Sequence, residues 1–191
     1  MQRDMDKRER IIDAAIEVFC VSGYEAASMA DVAAKAGVGK GTLYLYFDSK
    51  QSLFEEAYRV CYEQRVIACH ENVDSVSSAL DKLCLRLRNG TRWELESPMK
   101  NKFERIYLAH PRFGESVRSK VLGMRVDGVE EILTQGIARG ELRDLPVRLM
   151  EEMYYRLGSA VYYYIEDYPD AAEDEKLWEK IEESLRGCLG A

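Results

Sequence analysis

The sequence predicts an all-α chain in two parts, a small three-helix unit over residues 1–49 and a larger helical one over 50–191. Three observations carry this. Apolar residues recur at helical spacing from Lys7 almost to the C-terminus. The breaks between runs carry helix-ending and helix-starting residues, among them Gly23, Gly37, Pro98, Gly140 and Pro146. The stretch 28–50, SMADVAAKAGVGKGTLYLYFDSK, reads as two short helices around a tight turn.

In order, a first helix is expected over residues 7–22, with Ile11, Ile12, Ala15, Ile16, Phe19 and Cys20 on one face. Gly23 ends it, and Tyr24 packs at the corner. Ser28 N-caps the second helix, with Asp31 as the acidic half of a capping box. Val32, Ala33 and Ala36 give that helix a small apolar face, and Gly37 supplies the left-handed residue of the turn. Val38 and Leu43 anchor the third helix and leave Lys40, Thr42, Tyr44 and Tyr46 on a polar face. Asp48-Ser49 caps a fourth helix over 50–72, whose stripe runs Leu53, Phe54, Ala57, Val60, Cys61, Gln64 and Ala68 without a Gly or Pro.

A fifth helix is expected over 75–88, closed by Asn89-Gly90, with Trp93 in the connection that follows. Ser97-Pro98 starts a sixth, ending at Ala109 before His110-Pro111. Residues 114–139 are helical by pattern, and Gly123, Gly128 and Gly136 within them admit close crossings or a kink. The last two helices cover 146–168 and 171–189, separated by Pro169-Asp170. The Gly158-Ser159-Ala160 run suits close helix approach.

The pair of short helices has the layout of a helix-turn-helix, in which the second helix enters the major groove of DNA. By pattern alone an ordinary helical hairpin with a polar face competes with that reading. A phosphate loop does not, because Lys40 of GVGKGT is followed by Gly41 and the segment follows a helix.

The stretch AGVGKGTLYLYFDSKQSLF, preceded by VFCVSGYEAASMADVA, resembles the N-terminal DNA-binding domain of the TetR/AcrR transcriptional regulators. The resemblance covers roughly residues 7–56 and includes Phe19, Gly23, Tyr24, Asp31-Val32-Ala33, Ala36-Gly37-Val38, Gly41-Thr42-Leu43-Tyr44, Tyr46-Phe47 and Ser49-Lys50. Beyond about residue 60 the likeness is architectural only. It implies an all-α regulator with an N-terminal three-helix helix-turn-helix DNA-binding domain plus a C-terminal helical ligand-binding and dimerisation domain. It also implies a homodimer through the last two helices, a palindromic operator in double-stranded DNA, repressor action, and release by an unknown small-molecule effector. Carried over by position, Thr42, Tyr44, Tyr46 and Lys50 touch phosphates or bases, Lys40 and Gly41 form the leading edge, and Ser28 meets a phosphate. Met29 and Ala30 stand where relatives are often polar, which weakens base reading from that end. A thiol-responsive or effector-independent regulator is the alternative within the same class.

Charge sets a limit on the DNA reading. The chain carries −7 overall, and residues 1–50 hold seven Lys/Arg against eight Asp/Glu. Binding must therefore rest on local placement of Lys40, Lys50 and the Arg3/Lys7/Arg8/Arg10 group, with a few phosphate contacts per subunit. Five cysteines without a CxxC pair, no apolar run of the roughly 18 residues a membrane span needs, and no secretory signal predict a cytoplasmic protein with reduced thiols and no membrane partner. No nucleophile–base constellation marks an enzyme, and no cofactor is implied. His70 and His110 sit in no ligand-spaced cluster, so no metal site is expected. Aromatic density nominates Phe103, Tyr107, Tyr154, Leu157 and Tyr162 as effector-pocket residues; a Tyr stripe is core or interface more often than a ligand wall.

Overall fold

Side-chain caps start the second and fourth helices, through Ser28 and through Ser49 with Ser52. The computed structural model describes residues 2–113 and 128–191. Helix α1 spans Gln2–Ala26 and is kinked at Gly23, whose φ of 73° and ψ of 170° leave helical space. The expected stop at Gly23 is therefore a bend, after which one further turn closes through the Ala27 N–H donating to Gly23 O at 3.3 Å. Helix α2 is Met29–Ala36, α3 is Lys40–Tyr46 and α4 is Lys50–Cys69. They are followed by α5 (Ala79–Glu96), α6 (Pro98–Ala109), α7 (Val129–Ala138), α8 (Val147–Asp167) and α9 (Glu175–Leu189). The expectation for residues 114–127, Gly123 included, lies outside the described residues.

Two compact units emerge, one from the chain up to Gln64 with 97–113, the other from Arg65–Glu96 with the chain from residue 128 onward. Helix α4 contributes residues to both. The first unit is built on rings. Phe54 lies 4.7 Å from Phe19, 5.2 Å from Phe103 and 4.9 Å from Tyr107 between centroids, and Phe19, Phe54 and Phe103 have no exposed surface. Burying each such ring is worth about 1.5–3 kcal/mol, which makes this cluster the main anchor of the unit. Glu56 on α4 gathers Arg8 of α1 and Arg59 one turn on, bracing the first helix against the fourth.

The second unit is cored by Leu83, Cys84 and Leu87 of α5, Leu133 of α7, Met150, Tyr154, Val161 and Ile165 of α8, and Trp178, Ile181 and Leu185 of α9. Gly136 is a close crossing of the kind the glycines predicted: a Cβ there would meet Leu142 Cδ1 at 2.6 Å and Ala79 Cβ at 2.7 Å. The C-terminus is tied back by a bridge between Leu142 and Gly190, reinforced by the Arg143 guanidinium donating to Gly190 O and Gly187 O, each at 2.8 Å.

Helix α5 departs from the expected span at both ends. It begins at Ala79, whose N–H donates to Glu141 Oε2 at 2.6 Å. It also runs through Asn89-Gly90 instead of stopping there. Asn89 Nδ2 donates to Glu71 O at 2.8 Å, and a Cβ on Gly90 would stand 3.2 Å from Cys69 Sγ. The tertiary contacts outweigh a glycine penalty of about 1 kcal/mol. Trp93, expected in a connection, is buried on this helix. Gly158 faces inward, with Leu87 Cδ1 3.1 Å from its notional Cβ, while Ser159 and Ala160 are exposed.

Candidate nucleic-acid interface

Helix α2 is held at both ends by its own sequence. Ser28 Oγ accepts from the Asp31 N–H at 3.1 Å, and Asp31 Oδ2 accepts in turn from the Ser28 N–H at 3.1 Å. At the other end Gly37 takes φ 67° and ψ 35°, the left-handed region, and donates back to the carbonyls of Ala33 and Ala34. The next polypeptide turn is thereby aimed, and α3 leaves it from an extended Gly39.

Leu43 is fully buried and keys α3 into the unit. The rest of the helix faces outward: Lys40 and Gly41 are exposed, Thr42 and Tyr46 half-buried, Tyr44 43 % exposed and Leu45 85 % exposed. An exposed leucine beside an ammonium, hydroxyl and phenol groups has the donors for phosphates and the apolar surface for a thymine methyl. This leaves a short convex ridge of mixed chemistry.

Two of the expected contact residues carry structural duties. Lys50 Nζ donates to Tyr24 O at 2.7 Å, Glu25 O at 3.0 Å and Ala27 O at 3.1 Å, and lies 4.5 Å from the Tyr24 ring centroid. An ammonium has three donors, and all are used in closing the C-terminal end of α1. The Ser28 hydroxyl likewise donates to Asp31 Oδ2 at 2.6 Å, so a phosphate would have to compete for it. Sequence reading missed the clasp because its acceptors are main-chain carbonyls 23 to 26 residues away.

The residues nominated for an effector pocket divide between the units. Phe103 and Tyr107 belong to the aromatic core of the first, where Tyr107 stacks on Tyr58 at 4.1 Å and burial lifts its phenol to about 12. Tyr154, Leu157 and Tyr162 lie on α8 of the second. There the Tyr154 hydroxyl donates to Leu83 O at 3.2 Å and the Tyr162 hydroxyl to Glu166 Oε1 at 2.8 Å. Cys20, Cys61 and Cys84 are buried, and desolvation pushes their thiols up to about 11, 12 and 11. Thiols so raised hold almost no reactive thiolate at neutral pH.

The family model described as bacterial regulatory proteins of the tetR family matches residues 11–57, the span from the first apolar face of α1 to the start of α4. Residues 11–57 carry the TetR-family DNA-binding signature. The chain is 29% identical over 159 residues to the fatty acid metabolism regulator protein of Bacillus subtilis, covering 81% of each chain. It is 25% identical over 134 residues to IcaR, the negative transcriptional regulator of the biofilm icaADBC operon in Staphylococcus aureus, covering 69% of this chain and 68% of that one. Among solved structures, a TetR-family transcription regulator from Shewanella sp. PV-4 superposes with a TM-score of 0.85 at 24% identity, covering 97% of this chain and 98% of that one. FadR of Bacillus subtilis in complex with stearoyl-CoA gives 0.78 at 24%, covering 93% and 96%. These structural likenesses establish the fold. Among the described residues no helix is long and apolar enough to cross a membrane.

Proposed function

We propose that the chain acts as a TetR-family repressor that binds a palindromic operator as a homodimer and is released by a small-molecule effector of the acyl-thioester class. The single observation that carries the DNA reading is the α3 ridge, exposed on a helix whose position is fixed by a capping box and a left-handed glycine. In this reading residues 1–49 form the DNA-binding domain and 50–191 the effector and dimerisation domain. Lys40, Gly41, Thr42, Tyr44, Leu45 and Tyr46 meet the duplex, while Lys50 and Ser28 position the helices that carry them.

Dimerisation through α8 and α9 is supported by the exposure of Leu149, Tyr155, Tyr163, Tyr164 and Tyr168 on and just after α8, a run of large side chains unusual for a solvated face. The effector class is supported by the relative from Bacillus subtilis, a regulator of fatty acid metabolism, and by the stearoyl-CoA bound to a fold neighbour. Coupling of about 1–3 kcal/mol between effector and DNA would lower operator affinity roughly 5- to 150-fold. The test is fluorescence anisotropy of full-length protein on a duplex enriched by binding selection, with stearoyl-CoA titrated in. Release supports the reading. A duplex that stays bound at saturating stearoyl-CoA removes the effector class and leaves the DNA-binding role standing. The buried, raised thiols argue against the thiol-responsive alternative.

A further inference from the structure

In the second unit the arginines of α5 have unequal fates. Arg88 pairs with Glu175 at 2.9 Å, and Arg92 with Glu71 at 2.8 Å. Arg86 is 3 % exposed, and its Nε and Nη1 are buried without a hydrogen-bond partner among the described residues. A guanidinium stays charged at any physiological pH, so it cannot escape burial by losing its proton. An uncompensated buried cation is strongly destabilising, and its retention calls for an anion that the described residues do not supply.

The surroundings define what that anion is attached to. Residues two apart on a helix point to nearly opposite sides, so Arg86 is turned away from α9, which Arg88 and Asp81 engage through Glu175 and Arg186. Trp93, seven residues on, shares the Arg86 stripe and is buried. Helices α5 and α8 run side by side in the same direction, Leu83 meeting Tyr154 and Leu87 meeting Gly158. Helix geometry puts Arg86 and Trp93 on the side of that seam from which Glu151 and Tyr162 project on α8. Glu151 is 8 % exposed, and its Oε2 is also buried without a partner among the described residues. The seam between is apolar.

We propose that Arg86 is the anion receptor of the effector site, pairing with a carboxylate or phosphate on an acyl chain that lies along the α5–α8 seam. The proposal rests on the acyl-effector reading above and adds the residue that reads its charge.

The test uses full-length wild type, Arg86→Leu and Arg86→Lys with three probes: stearate, stearoyl-CoA and the neutral 1-octadecanol. Affinity is read by calorimetry or Trp fluorescence, and the melting temperature of each ligand-free protein by scanning calorimetry. Wild type is expected to bind an anionic probe roughly 10- to 150-fold tighter than octadecanol, the worth of a charge-assisted hydrogen bond. Arg86→Leu loses that factor, Arg86→Lys recovers part of it, and ligand-free Arg86→Leu melts no lower than wild type. Binding of stearate names the carboxylate; binding of stearoyl-CoA alone names the phosphates. If wild type and Arg86→Leu bind the anionic probe equally, the Arg86 role is overturned while the effector class stands. A lower melting temperature for ligand-free Arg86→Leu also overturns it, making Arg86 structural. If wild type binds none of the probes, the effector class falls and this proposal falls with it.

Discussion

Lys50 illustrates how much a single side chain can hide. Its motif position pointed to a DNA phosphate, and its motif position was legible; its partners were not, since they are carbonyls on the far side of a kink. Replacing it with Met keeps an unbranched apolar side chain of similar length and removes the three donors. Lys50→Met is expected to cost about 1–3 kcal/mol in denaturant-monitored unfolding. A pure phosphate contact would leave stability unchanged. Ser28 was read correctly as a cap, because its partner is local. Glu56 gives a second residue-scale prediction. The Arg59 hydrogen bond, aided by Arg8 and opposed by burial, lowers its pKa from 4.5 to about 2. A carboxylate depressed on folding stabilises above its unfolded value, and that stability drains away as pH falls from about 4.5 toward 2. Wild type should therefore lose stability across that window faster than Glu56→Gln, in urea titrations at successive pH values.

At the scale of elements, the breaks around α2, α3 and α6 were written in local sequence: α2 has its capping box, α3 follows the left-handed Gly37, and α6 starts at Pro98. Helix α5 was not. Asn89-Gly90 carries a helix-ending signal, but the Asn side chain is spent on the carbonyls ending α4 and the missing Cβ makes room for Cys69. Such contacts join segments some twenty residues apart, which no local pattern encodes. The Gly136 crossing is testable by itself. Gly136→Ala sets a methyl 2.6 Å from Leu142 Cδ1 and 2.7 Å from Ala79 Cβ. Over-packing of that kind costs about 1–3 kcal/mol, and should lower the melting temperature without changing operator affinity per folded molecule. On α3 the burial of Leu43 and the exposure of Tyr44 were legible from helix periodicity, whereas Leu45, 85% exposed, could by sequence equally have packed inward. The effector residues were not legible, because aromatic density does not distinguish a core ring such as Phe103 from a ligand wall, and a buried Arg86 on an amphipathic helix looks like a surface arginine.

For the whole molecule the governing fact is a net charge of −7, carried by a chain proposed to bind a polyanion. Affinity must come from a small, local set of phosphate contacts, so log K against log salt should have a slope no steeper than about −10 per dimer. The exposed tyrosines of α8 bear on assembly. Tyr163→Glu together with Tyr164→Glu is expected to shift sedimentation velocity from dimer to monomer and to weaken operator binding in step. The central claim, that two copies read a duplex with the α3 face, is tested most directly by sequencing the DNA retained from a random duplex pool by wild type and by the Thr42→Ala/Tyr44→Ala variant. Wild type should enrich near-palindromic sites with half-site centres about one helical turn, 10–10.5 base pairs, or a multiple apart. The variant should lose that enrichment while remaining folded. A wild-type pool with no enriched sequence, or the same sequence enriched equally by both proteins, would contradict it.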